Sequence, residues 1–202
     1  NYENAINGLE EVAFDDDNDY SKQACIKLAN IAYENSNYKD LSKYLKELAR
    51  FEEDEQNLAW KFAFEYFDNK QYDVLLKVFK DVISEIQFNL TASNIYYYMG
   101  LAAKIKKKYD LAFDYFKNSY LLYRYNYYSY RAKIEIEEGI ESGIFDNKLE
   151  EVLDEDKKLE QEFLESKEYI SKRKKLKLSV NDIYKSDEGL KRLLTLFQIG
   201  EF

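Results

Sequence analysis

The chain contains no histidine and no proline, one cysteine and six glycines in 202 residues. Without histidine, Ser-His-Asp and Cys-His nucleophilic machinery is excluded, as are histidine-ligated metals. A lone Cys25 rules out an internal disulfide and any multi-cysteine metal site. So few glycines and no proline leave little to punctuate strands, which favours long helices joined by short polar turns. No apolar run approaches the roughly 18 to 20 residues that a membrane-spanning helix needs. Residues 1–20 are too acidic for a signal peptide.

What is present fits a folded helical protein. Hydrophobic side chains make up 46% of the sequence, enough to bury a sizeable core, and charged ones 34%. The net charge of −9 argues against general nucleic-acid binding, which needs an excess of Lys and Arg along one face. Abundant Lys, Asn, Ile, Tyr and Phe also suit an A/T-rich genome, which accounts for some of the twenty tyrosines.

A period then becomes visible. The segments NYKDLSKYLKEL (37–48), QYDVLLKVFKDV (71–82) and KYDLAFDYFKNS (108–119) each pass from a polar residue and Tyr into an amphipathic helix. Tyr38, Tyr72 and Tyr109 follow one another at spacings of 34 and 37 residues. Each is followed seven residues later by Leu45, Phe79 or Phe116, on the same helical face. Upstream of each lies a second apolar helix, over 22–35, 56–69 and 93–106.

This pattern resembles the tetratricopeptide repeat, a helix-turn-helix unit that stacks into a superhelix. In the third unit Tyr96, Met99, Gly100, Ala103, Tyr109, Ala112 and Phe116 fall on the signature positions of that family. Cys25, Leu28, Ala29, Ala32, Tyr38, Leu41 and Leu45 do so in the first unit, and Ala59, Phe62, Ala63, Tyr66, Tyr72, Leu75 and Phe79 in the second. Leu41 and Leu75 stand where the family usually has Ala. Two antiparallel helices approach closely only where one side chain is small, so Gly100 and Ala112 are the expected contact points.

The resemblance implies an all-α solenoid of about three repeats over 1–126 and a helical C-terminal extension over 127–202. Tyr2, Ala5, Leu9 and Val12 repeat the second-helix pattern, so a leading half repeat is expected, with an ordinary capping helix as the alternative. In the extension, a helix over 127–143 ended by Gly143 and a charged helix over 146–175 are predicted, then an amphipathic segment over 186–197.

In tetratricopeptide proteins the first helix of each repeat lines the ligand groove. By position the resemblance assigns partner binding to Ile26, Asn30 and Tyr33, with Gln23. It adds Asn57, Trp60, Phe64 and Phe67, then Asn94, Tyr97, Leu101 and Lys104, with Ile105. Such a groove is aromatic and nearly uncharged, which suits an apolar helix or an extended segment of another protein, anchored on Trp60, Phe64 and Tyr97. Gln23, Asn57 and Asn94 recur at one position, either to hold a peptide backbone or to cap their helices. Leu190, Leu193, Leu194 and Phe197 form a secondary surface that meets a partner or fills the groove.

Two charge runs complete the inventory. The alternating acids of DDDND (15–19) resemble the start of a calcium loop, but Tyr20 and Ile26 occupy the places of its Gly and Glu, so a solvated turn is expected. The basic run 172–177 suits a helix C-terminus or an anionic surface. No catalytic motif and no cofactor-binding motif is found. The expected function is therefore non-enzymatic: an adaptor, scaffold or partner-stabilising subunit of a bacterial complex. The alternatives are a peptide-sensing regulator and an anionic-surface binder. A soluble chain is expected, cytoplasmic, or associated with the cell envelope if a targeting segment precedes it.

Overall fold

The computed structural model describes residues 2–15, 18–51, 53–123, 126–146 and 148–165. Among them every regular element is helical. The helices are α1 (Tyr2–Ala13), α2 (Asp19–Glu34), α3 (Tyr38–Leu48), α4 (Glu53–Asp68), α5 (Tyr72–Val82), α6 (Asn89–Ile105), α7 (Tyr109–Leu122), α8 (Tyr127–Glu141) and α9 (Leu149–Glu165), with a 3-10 turn at Ile83–Glu85 after α5. The chain divides into a compact unit through Val152 and a second from Leu153, a division that falls within α9.

Local chemistry sets the helix ends. Asn18 caps α2 by accepting from the Tyr20 and Ser21 amides at 2.8 and 3.1 Å, and Ser21 Oγ accepts in return from the Asn18 amide, a capping box. Asn126 and Ser129 build the same box at the start of α8. The stops repeat even more closely. At the ends of α2, α4, α6 and α8 one residue adopts a left-handed conformation: Ser36, Lys70, Lys107 and Gly143. The next amide reaches back to close the turn, Asn37 to Ala32 O, Gln71 to Tyr66 O, Lys108 to Ala103 O and Ile144 to Gly139 O, all at 2.8 to 2.9 Å. One turn geometry thus recurs four times at spacings of 34, 37 and 36 residues.

From α1 to α8 each helix packs on the next. In addition α2 meets α4, α4 meets α6, and α6 meets α8, while α3 meets α5. The central helix α6 therefore touches α4, α5, α7 and α8, and it is buried on all sides over Thr91–Ile95. The core runs through the unit from Leu28, Leu41 and Leu45 to Phe62, Tyr66 and Phe79, and on to Met99, Phe116 and Ile136.

Small residues permit the closest approaches. The ring of fully buried Phe116 lies where a side chain on Gly100 would stand, 2.6 Å from an added Cβ. Gly139 is covered in the same way by the Phe145 ring, and Ala112 is fully buried on the facing helix α7. Helix α8, beyond the span of sequence repeats, thus ends and packs as α6 does.

Buried polar groups tie neighbouring helices. Gln56, fully buried, donates to Ala49 O and Phe51 O at 2.9 Å and accepts from the Gln87 and Phe88 amides at 3.0 and 3.3 Å. Ser93 and Ser119 exchange hydroxyl-to-carbonyl bonds of 2.7 and 2.8 Å between α6 and α7. On the first helix Glu10 accepts from Lys43 Nζ at 2.9 Å and from the Tyr44 hydroxyl at 2.7 Å, which pins α1 to α3.

Candidate interaction face on α4, α6 and α8

Helices α4 and α6 run in the same direction, with their contacts in register. Thr91 Oγ1 donates to Asn57 Oδ1 at 2.7 Å. Two turns further along both helices the rings of Phe64 and Tyr98 meet at 5.5 Å. Between these levels stand Trp60 and Asn94. The geometry follows from α-helical spacing: positions 57, 60, 64 and 67 form one stripe of α4, and 91, 94, 98 and 101 one stripe of α6.

Helix α8 completes the face. Tyr128 meets Trp60 at 6.0 Å, Tyr97 at 5.5 Å and Tyr98 at 5.6 Å between ring centroids, and a long hydroxyl contact of 3.3 Å runs from Tyr98 to Tyr128. Phe67 joins through Tyr98 and Tyr72. Edge and tilted ring contacts of this kind add to the burial of ring surface. Large apolar side chains of these helices nevertheless stay in solvent: Phe64 is 44% exposed, Ile105 49% and Tyr127 68%.

Charge on the face is committed internally. Lys104 Nζ pairs with Glu135 of α8 at 2.8 Å, and Arg131 lies 3.7 Å from the same carboxylate. Burial raises the Tyr97 hydroxyl pKa above its ordinary value, with Arg131 opposing the shift. Burial and the Tyr128 hydroxyl raise Tyr98 further. Both phenols are therefore neutral at physiological pH.

The sequence-assigned residues divide into three groups. Asn57, Trp60, Phe64, Phe67, Asn94 and Tyr97 come together as described. Nearer the N-terminus, Tyr33 stacks on Phe62 at 4.5 Å, and burial followed by Glu65 pushes its hydroxyl pKa up to about 12. Ile26 is half-buried, and Asn30 donates to Ile26 O of its own helix at 2.8 Å. Leu101 is half-buried, and Lys104 is held by Glu135. Gln23, Asn57 and Asn94 all lie inside their helices rather than at N-cap positions, so the capping alternative does not apply. Leu190, Leu193, Leu194, Phe197 and the basic run 172–177 lie outside the described residues, as do Asp16 and Asp17 of the acidic run. Asn18 of that run is engaged as the α2 cap.

Sequence reasoning missed Tyr98, Tyr127, Tyr128, Arg131 and Glu135. The available signal was Gly143, which sits one repeat length beyond the 106–108 turn and marks α8 as an equivalent of α6.

The residues thus define an all-helical unit whose α4–α6–α8 face is aromatic and carries internally paired charge. No protein-family model matches the chain, and no curated protein or solved structure matches it.

Proposed function

We propose that this chain is a non-enzymatic protein-interaction module, a tetratricopeptide-like helical array whose α4–α6–α8 face binds a segment of another protein. The single observation that carries the reading is the exposure of Phe64, Ile105 and Tyr127 beside a floor of ring-packed Trp60, Tyr97 and Tyr98. Large apolar side chains left in water on one set of neighbouring helices favour a macromolecular contact. The recurrent left-handed turns and the α2–α4–α6–α8 order of packing support the repeat assignment, because stacked units of this kind present one continuous face. Acidic composition and internal pairing of Lys104 and Arg131 favour an uncharged ligand surface over a carboxylate clamp.

Affinity capture with cross-linking mass spectrometry tests the reading. The wild-type chain is compared with a Phe64→Glu/Ile105→Glu variant, which changes exposed positions and keeps the helical circular dichroism signal. The expected result is a partner cross-linked to α4, α6 or α8 and lost from the variant. A partner that stays bound to the variant and cross-links elsewhere refutes the assignment of this face.

A further inference from the structure

Lysines that reach across helices in this chain find carboxylates. Lys43 pairs with Glu10, Lys104 with Glu135 and Lys106 with Asp73, all at 2.7 to 2.9 Å. With 39 acidic and 30 basic residues, such matching is what an acidic surface favours. The groove between α3 and α5 departs from it. This groove encloses about 690 Å³, within the range of small-molecule sites. It belongs to the α3–α5 layer and shares no lining residue with the α4–α6–α8 face. Half-buried Ser42 and buried Val78 form its floor. Exposed Lys39 and Lys46 border it from α3, and exposed Lys77 from α5. Helical spacing sets Lys39, Ser42 and Lys46 on one stripe. None of these three lysines has an ion pair or a side-chain hydrogen bond among the described residues. The nearby acids are engaged elsewhere: Asp40 accepts from Asn37 at 2.6 Å, and Glu47 lies 3.6 Å from Arg50. Lys43 also lines the groove but is spent on Glu10, which leaves three unengaged ammonium groups facing one unengaged carboxylate, that of Asp81.

We propose that the α3–α5 groove binds a small polyanion carrying two or more phosphate groups, held by Lys39, Lys46 and Lys77. Lysine serves phosphate as a point charge and needs no planar, two-pronged geometry. Three such charges, brought from two helices to the edges of one concave volume, suit a ligand whose negative charge is spread over several groups. The ligand is small, because a net charge of −9 repels any long polyanion that runs past the groove. The Ser42 hydroxyl already donates to Tyr38 O at 2.9 Å, with Val78 O at 3.4 Å, so it adds no donor. Affinity therefore comes from charge and falls as salt is added. This site is independent of the protein-binding face.

Inorganic triphosphate is titrated into the full isotope-labelled chain at constant ionic strength without divalent metal. Orthophosphate, citrate and a nucleoside triphosphate serve as comparisons. The expected result is saturable movement of the α3 and α5 amides with a Kd below about 1 mM, and binding about tenfold weaker for orthophosphate and citrate. Lys46→Gln and Lys77→Gln each weaken triphosphate binding about threefold to fivefold. Asp81→Asn tightens it about twofold, a gain that damage to the fold does not produce. Nucleoside triphosphate binding equal to or weaker than that of triphosphate assigns the phosphate chain as the whole ligand. Tighter binding that Tyr38→Leu removes assigns a nucleotide, whose base lies beside the Tyr38 ring at the groove wall. The proposal is overturned by any of four results: no saturation below about 1 mM, equal movement at Lys107 and Lys108 outside the groove, citrate binding as tight as triphosphate, or charge variants that leave affinity unchanged. None of these touches the assignment of the α4–α6–α8 face.

Discussion

Substituting Gly100 by alanine tests whether the α6–α7 contact is as close as the structure has it. In an exposed helix the change stabilises by about 0.5–1 kcal/mol, because alanine loses less backbone entropy than glycine. Burying the added methyl contributes about 0.8 kcal/mol more. Against these gains, the new Cβ stands 2.6 Å from both Cδ1 and Cε1 of Phe116. Ordinary carbon contacts begin near 3.5 Å, so the ring must retreat by most of an ångström. It has no free space to enter: Phe116 is fully buried, with Tyr97 at 6.1 Å and Phe145 at 6.3 Å between ring centroids. Overpacking in a filled core costs about 1–3 kcal/mol and prevents the methyl from being buried favourably. The expected net effect is a destabilisation of about 1–2 kcal/mol. Gly8→Ala provides the internal control, since an added Cβ on α1 meets nothing within 4 Å, and it is expected to stabilise by about 0.5 kcal/mol. Urea denaturation followed by circular dichroism measures both, and a Gly100→Ala/Phe116→Leu double variant should recover part of the loss. Gly100→Ala as stabilising as Gly8→Ala would refute the close approach.

Two further outcomes follow from buried and paired groups. Gln56→Ala strips partners from two carbonyls and two amides at once, so a loss of about 2–4 kcal/mol in urea denaturation is expected; a loss below about 0.5 kcal/mol, the range of ordinary surface changes, would contradict it. The Glu10 carboxyl is held below its ordinary pKa first by its bond from Lys43 and then by that from Tyr44. A depressed native pKa stabilises above the unfolded carboxyl pKa, and that stabilisation is lost as pH falls through the native value. Lowering the pH from 6 to about 3 should therefore release α1 from α3 in the wild type. It should change Glu10→Gln less, as read by hydrogen exchange of the α1 amides; equal acid sensitivity in both would refute the coupling.

Much of the helical order was legible in the sequence because its causes are local. The Tyr38, Tyr72 and Tyr109 positions predict helix starts at the observed α3, α5 and α7, since polar turns and apolar periodicity act over a few residues. Gly100 was legible for a similar reason: a glycine within an aromatic helix has few explanations besides close packing. The role of α8 was much less visible. Its inward positions include Glu135, which reads as a surface residue until Lys104 and Arg131 are brought beside it. Gln56 was equally silent, because its four partners come from two separate turns.

What the sequence determined by itself is the succession of helices, the stop at Gly143 and the small residue Gly100 at which α6 meets α7. These follow from backbone sterics and periodicity within single segments. Only the tertiary structure decided that Tyr128 lies against Trp60, that Glu135 consumes the charge of Lys104, and that Trp60 and Asn94 share one level without bonding. Those relations depend on the relative translation of helices about 30 residues apart in sequence, set by the packing of the whole unit and by no local signal.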